Sequence, residues 1–240
     1  MQVTTGPAGE PPDAVRAYLE AKSLRPTWSW REVWQEEHGV AFAVAKAMAV
    51  DLLAELQRAV AEAIAGGLTF ETFRRKLEPT LGALGWWGVK EQVNPDTGRP
   101  EQVELGTPRR LGIIYRTNGR VARAVGQWQR IQRTKASRPF LIYELGPSVE
   151  HRPEHVSWAG SIREVDDPLW SMLMPPNGWG CKCRVRQLNR SEAEAAGGVT
   201  AGPELDLVET TDADGNTVTH PRGVDPEWAY NPGAAPRASG

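Results

Sequence analysis

Residues 107–143 read TPRRLGIIYRTNGRVARAVGQWQRIQRTKASRPFLIY, and this stretch contains the two patterns that set the fold class. Thr107 followed by Pro108 is typical of a helix N-cap and a first-turn proline. Apolar side chains then recur at helical spacing, so we expect a helix that runs to about Gln132. The β-branched and aromatic run at 140–143 predicts a strand. A long helix followed by a strand predicts an α+β protein.

The residues upstream of this stretch favour helices. Residues 38–65 contain no proline, and large apolar side chains recur there every four positions, at Met48, Leu52, Leu56, Val60 and Ile64. This period places them on one face of a long amphipathic helix, which we expect to pack against a core or a partner. Ser29 starts a capping-box pattern before this helix. Thr69 is typical of the N-cap of a shorter helix that ends before Pro79.

Changes in composition divide the chain into three parts. Residues 84–108 are rich in glycine, proline and tryptophan and include the turn-like sequence NPDTG, as is typical of a linker. We therefore expect a helical N-terminal region and linker at 1–107 and an α+β core at 108–190. The remainder, 191–240, is expected to form a hairpin that turns at Asp214-Gly215 and a loose tail.

The composition of the whole chain excludes several classes of protein. The 240 residues are 40% hydrophobic and 24% charged, as in ordinary globular proteins. The formal net charge of -2 argues against a protein that coats nucleic acid with its whole surface. No apolar run approaches the roughly 20 residues that cross a bilayer, and the start lacks the order of a secretory signal. We therefore expect no membrane partner and a location in the cytoplasm of the cell that makes the protein.

One interval of the chain is strongly basic. Between Leu105 and Tyr143 there are nine lysines and arginines and no aspartate or glutamate. We expect an electropositive face there that binds phosphate or an acidic protein surface. The candidate binding residues are Arg116, Arg120, Arg123, Arg130 and Arg133. The alternative is a solvated helix face whose charge is balanced by acidic neighbours in the fold.

Two histidines and two cysteines are candidate metal ligands. His151, His155, Cys181 and Cys183 follow the patterns His-x3-His and Cys-x-Cys. Imidazole and thiolate are ligands of tetrahedral zinc, and a structural zinc ion would hold together a region that buries little apolar surface. Zinc ribbons usually have two residues between the cysteines, so the single residue here requires local bending. The alternative is buried, unligated cysteines and a hydrogen-bonded histidine, with no cofactor.

Signals of catalysis are nearly absent from the sequence. It has no Walker phosphate-binding loop, no Gly-x-Ser-x-Gly nucleophile elbow and no His-Glu-x-x-His helix. The spacing of the paired acids Asp166-Asp167 does not indicate general acid-base catalysis. We therefore expect a protein that is not an enzyme. The alternative is a metal-dependent hydrolase or nuclease, or a toxin-like domain, that uses the His/Cys cluster catalytically.

Four segments resemble a known family. They read RLGIIYRTN at 110–118, RPEHVSWAG at 152–160, DDPLW at 166–170 and PPNGWGCKCRV at 175–185. Their order and spacing are similar to those of the Mu F-like phage head-morphogenesis family, and the likeness extends over nearly the whole chain. The resemblance implies that the α+β core at 108–190 is a head-morphogenesis domain.

The resemblance also implies a function and partners. It implies a phage or prophage minor head (capsid) protein, present in few copies, that associates with the portal and is needed to assemble heads that package DNA. The implied partners are the phage portal protein, other head proteins and the packaged DNA. The implied location is the host cytoplasm during assembly and then the virion, in the capsid interior or at the portal vertex. A DNA-binding protein that acts outside the particle is a further alternative.

Overall fold

The computed structural model describes residues 12–212 and 214–235. The helices are α1 (Pro12–Glu20), α2 (Glu37–Val40), α3 (Val50–Ala65), α4 (Phe70–Ala83), α5 (Pro108–Thr134), α6 (Pro153–Trp158), α7 (Trp170–Leu173) and α8 (Arg190–Ala195). The strands are β1 (Ser23–Leu24), β2 (Ala41–Phe42), β3 (Val89–Val93), β4 (Pro100–Glu104), β5 (Phe140–Glu144), β6 (Ile162–Glu164), β7 (Arg184–Leu188), β8 (Leu207–Thr211) and β9 (Thr217–Pro221). This mixture confirms the predicted α+β class. Among the described residues, no helix combines the length and the apolar character that a membrane span requires.

The chain divides into two compact units. Unit 1 contains residues 12–33 and 37–123, and unit 2 contains residues 34–36 and the described part of 124–235. Helix α5 supplies residues to both units.

Unit 1 is built around helix α3, whose buried face forms the centre of the core. Leu53 and Leu56 have no exposed surface, because residues three or four positions apart lie on the same side of a helix. The amide of Gln57 donates hydrogen bonds to the carbonyl oxygens of Leu19, at 3.0 Å, and Lys22, at 2.7 Å. These bonds hold the end of α1 on α3. The predicted apolar stripe therefore faces a core from Leu52 to Ile64.

The amphipathic helix predicted for residues 38–65 is shorter than expected. Helix α3 begins only at Val50, and upstream of it β2 pairs in parallel with β1. Lys46 has a left-handed φ of 61°, and Met48 lies outside the helix with 45% of its surface exposed. The prediction is wrong for 41–49 because this segment gains hydrogen bonds to β1 and buries Phe42. A helical period in the sequence cannot reveal such distant contacts.

Helix α4 continues through the proline that was expected to end it. Pro79 lies inside α4 and is exposed, and the following turn still contributes the fully buried Leu81. The burial of Leu81 therefore outweighs the helix-breaking tendency of the proline. The start of the helix is as predicted, since Oγ1 of Thr69 accepts a hydrogen bond from the backbone N–H of Thr72 at 3.3 Å.

The predicted linker at 84–108 contains a hairpin. Strands β3 and β4 pair antiparallel, with Val89 opposite Glu104. Trp86 and Val103 are nearly fully buried in the core of unit 1. The indole Nε1 of Trp86 donates a hydrogen bond to the carbonyl oxygen of Lys46 at 3.0 Å. Tryptophan in a glycine-rich segment thus marks a packed hairpin here.

Unit 2 contains a three-stranded antiparallel sheet in the order β6-β5-β7. The first four residues of the central strand β5 are all buried, which explains the unbroken apolar run in its sequence. Helix α5 ends close to its predicted end. In its last turns Gln127 donates a hydrogen bond to the carbonyl oxygen of Val185 on β7, at 2.7 Å. Strands β8 and β9 form the predicted C-terminal hairpin.

Most of the described part of the tail that was expected to be loose, 231–235, is buried. Asn231 and Ala235 are 5% and 8% exposed. The backbone of Gly233 lies so close to Trp128 that an added Cβ would be 2.2 Å from the Cβ of the tryptophan. The prediction is wrong for 231–235 because small residues, which are typical of loose tails, also permit close packing. The rest of the predicted tail, 236–240, lies outside the described residues.

Replacing Leu56 by alanine tests the placement of the apolar stripe. We expect the free energy of unfolding to fall by about 2–5 kcal/mol, because lost burial and the cavity that remains both destabilise the fold. Met48→Ala is the matched control, and its half-exposed side chain predicts a change of at most about 0.5 kcal/mol. Urea unfolding followed by circular dichroism measures both variants. Equal losses would contradict the position of Met48 outside the core.

His38 makes unit 1 sensitive to acid. Burial, and then the charge of Lys22, lower the pKa of His38 to about 4 from a usual value of 6.5. Between these values the folded protein binds fewer protons than the unfolded chain, so stability falls as the pH falls from about 6.5 towards 4. We expect a total loss on the order of 3 kcal/mol from this residue. The slope of unfolding free energy against pH should flatten in His38→Gln, and an unchanged slope would contradict the assignment.

Candidate functional site

His155 lies on helix α6 and is only 3% exposed. Its Nε2 is 2.9 Å from the carbonyl oxygen of Gly223. Because a carbonyl can only accept a hydrogen bond, Nε2 carries a proton and donates it. In the neutral ring, Nδ1 is then left as an acceptor or a metal ligand. This Nδ1 lies 3.5 Å from Sγ of Cys183.

Cys181 and Cys183 approach the imidazole together. Both are free and partly buried, and their Sγ atoms and a ring nitrogen of His155 all lie within 4.8 Å of one another. The backbone N–H of Cys181 donates to the carbonyl oxygen of Gly178 at 3.1 Å, which closes a turn. Gly180 in this turn has a φ of 77°, a conformation that favours glycine. Strand β7 begins only after both cysteines, so neither cysteine is part of the paired strand.

The two thiols differ in acidity. A hydrogen bond with Cys181 lowers the pKa of Cys183. The same contact between the cysteines, together with burial, raises the pKa of Cys181. Burial also raises the pKa of the Tyr143 phenol.

His151 does not join this cluster. Its Nε2 lies 2.8 Å from the carbonyl oxygen of Gly146, and the group of close ligand atoms among the described residues does not include it. An added Cβ at Gly146 would lie 1.7 Å from the carbonyl oxygen of Lys182, the residue between the cysteines. His151 therefore contacts a loop that packs on the cysteine segment.

An ion pair that the sequence did not predict supports the cluster. Arg152 and Asp225 are 2.8 Å apart, and Arg152 also donates to the carbonyl oxygen of Gly223 at 2.8 Å. The second carboxylate oxygen of Asp225 accepts a hydrogen bond from the backbone N–H of Trp179 at 2.8 Å. Arg152 and Asp225 are 73 positions apart. Their only local signals are the prolines that follow them, Pro153 and Pro226, which mark helix starts.

A buried amide and aromatic rings complete the surroundings of the cluster. The phenol of Tyr143 donates to Oδ1 of Asn177 at 2.9 Å, and Asn177 has no exposed surface. The ring of Trp158 lies 5.0 Å from that of His155 in a stacked arrangement and meets Tyr143 edge-on at 6.0 Å. The cluster therefore lies among aromatic groups and partly buried polar groups.

The five candidate arginines lie on α5 in different units. Unit 1 contains Arg116, Arg120 and Arg123, and unit 2 contains Arg130 and Arg133. The guanidinium of Arg116 lies 5.7 Å from the ring centre of Phe70. Contacts that involve Arg120, Arg130 and Arg133 are also present.

Acidic residues from later in the chain meet part of the basic interval. Lys135 pairs with Asp166 at 2.9 Å, and Arg138 pairs with Glu192. The interval itself contains no acidic residue, but acidic side chains from other segments lie beside it in the structure. The charges of Lys135 and Arg138 are therefore balanced by acidic neighbours.

Replacing Asp225 by asparagine tests the supporting ion pair. We expect the free energy of unfolding to fall by about 1–3 kcal/mol, because Arg152 loses its partner in a partly buried position. Asp206→Asn is the matched control, since Asp206 pairs with Arg222 where both side chains are more than half exposed. The control is expected to lose at most about 1 kcal/mol. Chemical denaturation measures both variants, and a smaller loss in Asp225→Asn than in the control would contradict the supporting role.

Comparison with known proteins places these residues in a family. The family model described as Phage Mu protein F like protein matches residues 54–186, which contain His151, His155 and both cysteines. Gly223 and Asp225, which hold the cluster from the other side, lie after the matched range.

Two relatives agree with this match. The chain is 35% identical over 244 aligned residues to the protein assigned as capsid assembly protein F in Escherichia phage Mu, with 94% of this chain and 55% of the relative covered. It is 36% identical over 171 residues to the Mu-like prophage FluMu F protein of Haemophilus influenzae, with 71% of this chain and 40% of the relative covered. The chain thus spans about half the length of these curated relatives. No solved structure matches it. The resemblance noted in the sequence is confirmed, and the chain belongs to the Phage Mu protein F like family.

Proposed function

We propose that this protein takes part in building the head of a Mu-like phage or prophage, by binding other head proteins. The observation that carries this proposal is the 35% identity, over 94% of the chain, to a phage Mu protein assigned to capsid assembly. Because the chain spans 55% of that relative, we propose the role for the part that the two share.

The geometry of unit 2 favours binding over catalysis. A hydrolase needs a cleft for substrate and an acid or base beside the reacting group. His155 is nearly fully buried, and the group of close ligand atoms contains no carboxylate. A groove of about 380 Å³ on this unit is lined by other residues, among them Gln127, Arg130 and Glu144. A cluster whose histidine is buried and hydrogen-bonded is suited to maintaining the shape of a docking surface.

Within this role, we propose that the part of α5 in unit 1 contacts an acidic surface of another head protein, with the portal protein as the first candidate. Arg116 is exposed on this helix, and Arg109, about two turns earlier, is exposed as well. Two exposed positive charges attract an acidic protein surface and orient its approach. The net charge of -2 gives the whole chain little general attraction for DNA, so packaged DNA is the second candidate.

Deletion of the gene tests the head-assembly role. In a phage or inducible prophage that carries this gene, we expect deletion to abolish infectious particles, because a head component is missing. A plasmid copy of the gene should restore them. Electron microscopy of the lysate shows whether heads are absent or incomplete. Normal yields of infectious particles from the deletion strain would contradict the proposal.

A charge-reversal pair tests the partner surface. We expect Arg109→Glu with Arg116→Glu to weaken co-purification with the portal protein by about tenfold or more, because repulsive charges replace attractive ones. Arg75→Glu with Lys76→Glu is the matched control, since it changes the net charge equally at exposed positions of α4. Equal retention of the portal protein by both double variants would exclude this surface. Thermal unfolding of each variant checks that the fold is intact.

Two assays separate the alternatives. Retention of the chain on DNA that falls steeply with salt would favour a DNA contact, because each phosphate contact releases counterions. Hydrolysis of DNA or protein by the purified chain, lost in Cys183→Ser, would favour the hydrolase. We expect neither result.

A further inference from the structure

We propose that His155, Cys181 and Cys183 together bind a structural zinc ion. The site goes beyond the head-assembly role, and zinc binding by the purified chain does not depend on that role. Four features of the described residues support it, and each is independent of the family match.

The first feature is the distance between the ligand atoms. Zn–S bonds of about 2.3 Å and Zn–N bonds of about 2.0 Å at tetrahedral angles place sulfur and nitrogen ligands about 3.5 Å apart. Nδ1 of His155 and Sγ of Cys183 are 3.5 Å apart. All three ligand atoms lie within 4.8 Å of one another. Movements of about 1 Å therefore suffice to place them around one ion.

The second feature is the orientation of the imidazole. Nε2 of His155 donates to the carbonyl oxygen of Gly223 at 2.9 Å. Metal-binding histidines commonly donate their other ring N–H in this way, because the bond fixes the tautomer and directs the ligand nitrogen to the metal. Here it directs Nδ1 to the two sulfur atoms.

The third feature is the chemistry of the ligand atoms. Two thiolates and an imidazole favour zinc over magnesium, calcium or manganese, which prefer oxygen ligands. The group contains no carboxylate. A water molecule completes the tetrahedron, since three protein ligands leave one position. His151 is not the fourth ligand, because its Nε2 already faces the carbonyl oxygen of Gly146.

The fourth feature is the structure around the site. Between β5 and β7 the regular elements are the short helices α6 and α7 and the three-residue strand β6. A metal ion would join α6, the turn before β7 and, through Gly223, the segment after β9. Structural zinc contributes folding free energy in such loop-rich regions, where apolar burial is small.

Metal analysis of the full chain tests the site. We expect about one zinc ion per chain after purification under reducing conditions from zinc-supplemented medium. His155→Gln, Cys181→Ser and Cys183→Ser should each lose most of this zinc. His151→Gln is the matched control and should retain it. Zinc that persists in all three ligand variants, or that is lost equally in the control, would overturn the assignment.

Three measurements on the unaltered chain keep the proposal testable if the ligand variants fail to fold. Cobalt added to the metal-free chain should produce the thiolate charge-transfer and visible bands of a tetrahedral site. Zinc should protect both cysteines from alkylation and raise the midpoint of thermal unfolding. A folded chain that contains no metal, shows no cobalt bands and alkylates equally with and without zinc would overturn the proposal. Such a result would leave the cysteines as a hydrogen-bonded thiol pair.

Discussion

The hydrogen bond between the buried imidazole of His155 and the carbonyl oxygen of Gly223 is the contact on which the rest of the candidate site depends. It joins helix α6 to the segment after β9 and fixes which ring nitrogen carries the proton. The other nitrogen is thereby directed to Cys183. Arg152 donates a hydrogen bond to the same carbonyl oxygen and pairs with Asp225. The carbonyl oxygen of Gly223 therefore accepts hydrogen bonds from both an imidazole and a guanidinium. Loss of this alignment would separate three segments that share few regular hydrogen bonds.

The polar contacts around the cluster compensate for the scarcity of regular structure. Buried polar groups are costly unless they are bonded, and a network that bonds them specifies one arrangement of the loops. Tyr143 and Asn177 bond each other in the interior, and Asp225 bonds both a guanidinium and a backbone N–H. These bonds hold the loops around the cluster together.

Local signals in the sequence predicted the elements that depend on near neighbours. The cap at Thr69, helix α5 and strand β5 have the expected positions, because caps, helical period and apolar runs act within a few residues. The helix expected at 38–65 failed over its first part, where β2 pairs with β1, and the expected stop at Pro79 failed because Leu81 is buried. In both cases distant contacts outweighed local preference.

The sequence by itself determined the α+β class, the family and the residue types of the cluster, because these follow from local pattern and from the order of motifs. Only the tertiary structure decided which candidates meet. It brought His155 to Cys181 and Cys183, whereas His151 contacts the carbonyl oxygen of Gly146. It also brought Gly223 and Asp225, from a segment after β9, into contact with the residues of this region. It also brought acidic side chains to part of the basic interval. The physical reason is that hydrogen bonds and ion pairs depend on separation in space, and the sequence gives only separation along the chain.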